Sequence, residues 1–167
     1  MKNIILVGFM GTGKSAVGHL LAKRLKWRFV DLDERIQKKA GATIAQIFAK
    51  EGEPGFRKRE AQAVKEAGKL TAHIVATGGG VMLDEANVQL LKKAGTLVCL
   101  TARPEVIFSR TAASLPGRPL LNGADPQARI EQLLKLRAPF YAQADLAIET
   151  SDRSIADVVE EIMEKIK

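Results

Sequence analysis

Apolar residues recur along the chain in two alternating rhythms. Short, nearly unbroken runs at 3–7, 27–31, 73–77 and 96–101, with a weaker one at 146–148, have the length and β-branched content of buried strands. Between them, apolar positions return every three or four residues, the period of a helix with one buried face. Behind the first run, Val17, Leu20, Leu21 and Leu25 share a face, and near the C-terminus Ile155, Val158, Val159, Ile162, Met163 and Ile166 form the clearest stripe. Such alternation predicts an α/β fold with a parallel sheet covered by helices on both faces. One stretch breaks the rhythm. A-A-S-L-P-G-R-P-L-L-N-G-A, at 112–124, is rich in Pro and Gly and has the length of a lid.

A chain of 167 residues, 46% of them hydrophobic, has the size of one domain, 1–167, with a sizeable core. The apolar runs are too short to cross a bilayer and the N-terminus lacks the pattern of a secretory signal, so a cytoplasmic protein is expected. The single cysteine, Cys99, falls in the strand-like T-L-V-C-L and reads as an inert core thiol. A formal charge of +7 suits nucleic acid, an anionic membrane surface or small anionic ligands. Aromatic residues make up only 5% of the chain and form no stacking platform, which lowers the nucleic-acid reading without excluding it; small anionic ligands, with no nucleic-acid and no membrane partner, are the expectation.

The first run leads into G-F-M-G-T-G-K-S, residues 8–15, which fits G-x-x-x-x-G-K-[ST] and precedes a helical segment. Glycines at these positions let backbone N–H groups curl around an anion, the helix N-terminus adds positive potential, Lys14 reaches the β- and γ-phosphates and the Ser15 hydroxyl suits Mg²⁺. The second run ends in F-V-D-L-D-E, residues 29–34. If the strand persists, Asp31 and Asp33 point to one side and repel each other. Two readings stand: a helix N-cap at the strand end, or carboxylates beside the phosphate loop, one near the metal's waters and one accepting the proton of an attacking hydroxyl.

Further along, G-E-P-G-F-R-K-R-E at 52–60 starts a helix at Glu53 and Pro54 whose stripe is Phe56, Glu60, Ala63, Val64 and Ala67. Arg57 and Glu60, one turn apart, form either a structural ion pair or a glutamate orienting an arginine that grips an anion. T-G-G-G at 77–80 permits close approach of a ligand at a strand's carboxyl end, or is a turn before a helix capped by Asp84. Asp125 and Pro126 start a helix with Ile130, Leu133 and Leu134 on its stripe, and Arg137 falls on the same stripe, where it needs a partner in the protein or in a ligand. Arg118 in the lid is either a solvated charge or a group that closes onto the transferring phosphate.

The ordered set D-L-D, F-R-K-R-E, G-G-G, R-P-L-L and R-A-P-F-Y, together with the phosphate loop, resembles the shikimate kinase family over essentially the whole chain. The resemblance implies a P-loop NTPase fold of the nucleoside-monophosphate-kinase type, a five-stranded parallel sheet flanked by helices with a mobile lid at about 112–124. It implies phosphorylation of the 3-hydroxyl of shikimate by ATP with Mg²⁺, in a monomer. Lys14, Asp33 and Arg118 would be catalytic. Gly11, Thr12, Gly13, Lys14, Ser15, Ala16, Arg110, Arg118 and Arg153 would bind ATP, with Arg110 against the adenine. Asp33, Arg57, Gly78, Gly79, Gly80 and Arg137 would bind shikimate, the two arginines holding its carboxylate. Ser15 and, through water, Asp31 would serve the metal. Ala16 departs from the second hydroxyl residue common at that position. A gluconate kinase or a nucleotide-binding protein without turnover are the alternatives.

Overall fold

The computed structural model describes residues 1–121 and 123–167, with the backbone alone at 114, 116, 117 and 119. The expected strands form one parallel sheet: β1 (Asn3–Val7), β2 (Arg28–Asp31), β3 (His73–Ala76), β4 (Gly95–Thr101) and β5 (Leu146–Glu149), in the order β2-β3-β1-β4-β5. Among the described residues seven α-helices connect and cover them: α1 (Lys14–Leu25), α2 (Leu32–Ala40), α3 (Ile44–Ala67), α4 (Glu85–Ala94), α5 (Pro104–Thr111), α6 (Pro126–Tyr141) and α7 (Ile155–Lys165).

β1 shows how the pattern becomes packing. All five of its residues are buried, and successive side chains go to opposite faces. Ile5 and Val7 join Val75, Leu97 and Cys99 under α2, α3 and α4, while Ile4 and Leu6 join Ile74, Val98 and Leu100 under α1 and α7. On α7, Val158, Val159 and Ile162 are buried and Met163 and Ile166 pack beside them. Ile155, which the stripe includes, is 46% exposed, because the first residue of the helix lies beyond the sheet edge it covers. Cys99 is fully enclosed in β4, and burial pushes its thiol up to about 11 despite nearby Lys14.

Two expectations are corrected. The strand does not persist to Asp33: β2 ends at Asp31 and α2 starts at Leu32, whose side chain is buried, so the two aspartates do not share a strand face. The stretch at 112–124 is not irregular in its described part. Residues 112–117 and 119–121 form 3₁₀ turns, and Leu115, Leu120 and Leu121 pack on Phe9, Ile107, Ile130 and Leu133. Asn122, within the expected lid, lies outside the described residues. The helix start at Glu53 and Pro54 is visible as a break inside α3, where Gly52 takes φ 70° and ψ 179°.

Candidate active site

All five strands run the same way, so their carboxyl ends, and every loop that carries candidate chemistry, lie along one edge of the sheet. Behind β1 the phosphate loop turns into α1 through Gly13, whose φ of 100° is a left-handed conformation suited to glycine. No side chain caps α1 there, which leaves its first N–H groups to an anion. Lys14 Nζ donates to the carbonyls of Gly8 and Phe9 at 2.7 and 2.8 Å. Burial lowers its ammonium to about 8, against the opposing pull of Asp33 and Asp31.

Asp31 is the N-cap that the first reading of the acidic pair expects, and it also lies beside the phosphate loop. Its Oδ1 accepts the N–H groups of Asp33 and Glu34, an N-cap for α2, while its Oδ2 accepts the Ser15 hydroxyl at 2.9 Å. A hydroxyl and a carboxylate are thereby paired at the mouth of the loop. Asp33, one helical residue in, is half-buried, with its Oδ1 enclosed. Desolvation raises its carboxyl above the usual range, reinforced by Asp31 and opposed by Lys14, Arg57 and Arg118.

The glycines of 77–80 have a physical reason that is steric. None of Gly78, Gly79 and Gly80 has a positive φ. A Cβ on Gly78 would stand 2.9 Å from Asp33 Oδ1 and from Glu60 Oε2, one on Gly79 would stand 3.4 Å from Arg137 Nη1, and one on Gly80 only 2.5 Å from both Arg57 Nη atoms. Gly78 thus makes room for Asp33 and Glu60 and Gly80 for Arg57, while Gly79 touches Arg137 and the Met10 backbone, so the turn meets charged side chains from α2, α3 and α6.

Those side chains meet in a cavity of about 360 Å³, walled also by Ile44, Phe48 and Phe56. Arg57 Nη1 donates to Glu60 Oε1 at 2.9 Å and Nη2 to Glu53 at 3.1 Å. Burial works against the guanidinium's charge, but the two glutamates outweigh it and hold Arg57 above its ordinary value. Glu60 is 1% exposed, and its carboxyl is raised by burial, only partly offset by Arg57. Arg137, expected to be buried, is 3% exposed, its guanidinium 5.5 Å from the centre of the Phe9 ring. Asp33 Oδ1, Glu60 Oε2 and Arg137 Nη1 are all buried without a hydrogen-bond partner among the described residues. Unpaired buried polar atoms are costly. Three of them lining one cavity mark a place built for hydroxyls and a carboxylate.

A second cavity of about 360 Å³ adjoins, walled by Gly11, Gly13, Lys14, Ser15 and Ala16. The two share Met10, Asp31, Asp33, Gly79 and Arg118 as common wall. Arg118 is half-buried; burial lowers its guanidinium, and Asp33 pulls the other way.

Farther out, Arg110 Nη1 donates to the carbonyl of Gly11 and to Thr150 Oγ1, both at 3.1 Å, and Thr150 Oγ1 donates to the carbonyl of Thr12 at 2.9 Å. These bonds lash the loop after β5 to the phosphate loop. Arg153 turns to Glu161, at 2.6 Å, and to the carbonyls of Glu149 and Asp157, bonds that hold it against α7 and the end of β5. Sequence reasoning did not single out Met10, the apolar wall of Ile44 and Phe48, or Tyr141, whose hydroxyl bonds the Gly79 carbonyl. The R-A-P-F-Y motif, with Tyr141 one turn after Arg137, carries a signal for the last of these.

A sheet of this order with a phosphate loop after its first strand and a polar acceptor cavity beside it defines a phosphate-loop kinase of the nucleoside-monophosphate-kinase type. The sequence model of shikimate kinases matches residues 10–167. A shikimate kinase of Symbiobacterium thermophilum is 49% identical over 167 residues, covering 99% of this chain and 96% of that one. The structure of a shikimate kinase from Acinetobacter baumannii in complex with shikimate superposes with a TM-score of 0.95 at 41% identity, over 99% of this chain and 93% of the other. A gluconokinase from Sinorhizobium meliloti, with a TM-score of 0.61 at 15% identity over 98% of this chain and 90% of its own, shares the fold alone. The chain belongs to the shikimate kinase family, and it is an ATP-dependent phosphotransferase.

Proposed function

We propose that this chain transfers the γ-phosphoryl group of ATP to the 3-hydroxyl of shikimate. The observation that carries the reading is the common wall between the two cavities, where Asp33 and Arg118 reach both the phosphate side and the acceptor side. Arg57 and Arg137 hold the carboxylate of shikimate, and the glycine turn lies against its ring. Asp33 accepts a hydrogen bond from the reacting hydroxyl and takes its proton, a role for which a carboxyl raised by burial is suited. Lys14 and Arg118 neutralise charge on the transferring group, so catalysis is mainly positioning and electrostatics.

The residues fit Mg²⁺: Ser15 Oγ and Asp31 Oδ2 present a hydroxyl and a carboxylate side by side, the hard oxygen donors such an ion takes beside a nucleotide. Bound there with ATP, the ion would supply neutralisation of phosphate charge. Ala16 lines the phosphate cavity with a methyl group where a hydroxyl would offer one more contact. Lid closure over 112–124 completes the site around Arg118. The chain acts as a single domain and a monomer, in the cytoplasm where ATP is available.

The test is ATP consumption with and without shikimate, with gluconate and nucleoside monophosphates as competing acceptors. Shikimate-dependent turnover is expected; turnover that prefers gluconate or a nucleotide, or none with any acceptor, would overturn the reading.

A further inference from the structure

Tyr141 closes α6, and its hydroxyl donates a 2.5 Å hydrogen bond to the carbonyl oxygen of Gly79. Residues four apart share a helix face, so Arg137 and Tyr141 reach the same glycine, the first toward its Cα and the second toward its carbonyl. From the other side, a Cβ on Gly79 would stand 3.3 Å from the Met10 backbone nitrogen in the phosphate loop. Of the three glycines, Gly79 alone lines both cavities. Tyr141 contributes to neither wall, yet its ring packs against two separate apolar clusters, the one under α3 and α4 and the one under the lid segment. Burial pushes its hydroxyl up to about 12, although Arg137 works against the shift, so it remains a donor.

We propose that Tyr141 is a positioning residue for the transfer: its bond to Gly79 holds the glycine turn in register with Arg137 and the phosphate loop, and so fixes acceptor against donor. Packed between two clusters, the ring has little freedom to follow a shifted turn, and the turn is therefore set by the tyrosine. This role rests on the shikimate reading above.

Tyr141→Phe keeps the ring in both clusters and removes only the hydroxyl. Amide hydrogen exchange over 78–83 should rise while exchange over 8–15 stays as in the wild type. With the loss of one neutral hydrogen bond, kcat/KM for shikimate should fall about tenfold, with KM for ATP unchanged and Tm lowered by only a few degrees. Tyr141→Leu, which removes the ring as well, should lower Tm much further. A Tyr141→Phe enzyme with wild-type shikimate kinetics overturns the proposal, as does one whose ATP and shikimate parameters fall together with its Tm. Failure of the shikimate reading itself would show separately, as wild-type protein without shikimate-dependent turnover.

Discussion

Gly80 lies directly against the guanidinium of Arg57: a Cβ there would stand 2.5 Å from both Nη1 and Nη2. At φ −101° the backbone of Gly80 accepts alanine without strain, so the conflict in Gly80→Ala falls on the end of one flexible side chain. Arg57 would have to turn away from the acceptor cavity. Shikimate KM should rise about ten- to a hundredfold, the worth of a charge-assisted hydrogen bond, with KM for ATP close to wild type, and Tm should fall as well because the move takes Arg57 from the buried Glu60. An unchanged shikimate KM would remove Arg57 from the binding site.

Arg137 offers a sharper division between function and structure. Its Nη1 is buried with no hydrogen-bond partner among the described residues, while the rest of the guanidinium lies over the Phe9 ring and acts on Glu60 and Tyr141. Arg137→Ala should cost about 2–5 kcal/mol in shikimate binding, or about thirty- to several-thousand-fold, while ATP affinity barely changes. Arg137→Lys should recover only part, because an ammonium cannot reproduce a two-pronged contact with a carboxylate. Titration and thermal unfolding on the same variant decide it. A destabilised Arg137→Ala protein that binds shikimate normally would make the arginine structural.

For Asp33 the readout is the catalytic constant. If it takes the proton, Asp33→Asn should lower kcat by about 10²- to 10⁴-fold with nucleotide binding intact. Loss confined to shikimate affinity would instead make Asp33 an orienting group. Presteady-state rates of phosphoryl transfer separate the two.

The lowered value of Lys14 has a sign that can be worked through. Phosphates favour its charged form, so above about pH 8 nucleotide binding must take up a proton, and affinity should fall with rising pH by up to about tenfold per unit. Below that value the ammonium is already charged and contributes no slope. Fold stability runs the other way: the unfolded chain holds this proton up to about 10.5, so stability gains between about 8 and 10.5. Calorimetry of ADP binding in buffers of different ionisation heat measures the uptake. Lys14→Met should abolish the slope along with turnover, and a steep slope in that variant would assign the titration elsewhere.

Much of this protein is recorded locally in its sequence. Strand and helix rhythm is written every two or every three to four residues, because each element must turn its apolar side to a core, and the phosphate loop is legible because eight consecutive residues build it. Burial of Arg137 follows from its place on an apolar stripe by the same logic. Which strands become neighbours is not recorded in that way. Alternation predicts a parallel sheet but not that β3 inserts between β1 and β2, and it is this insertion that sets 78–80 beside Asp33. Asp31 shows what tertiary structure adds to a local signal, since one oxygen caps a helix, as the sequence allows, while the other meets Ser15 from a different element. The 3₁₀ turns of 112–121 escaped notice because their leucines pack on α5 and α6, which a local period cannot show. Tyr141 and Gly79 are 62 residues apart, and their bond depends on α6 docking beside the turn after β3, which no spacing along the chain encodes.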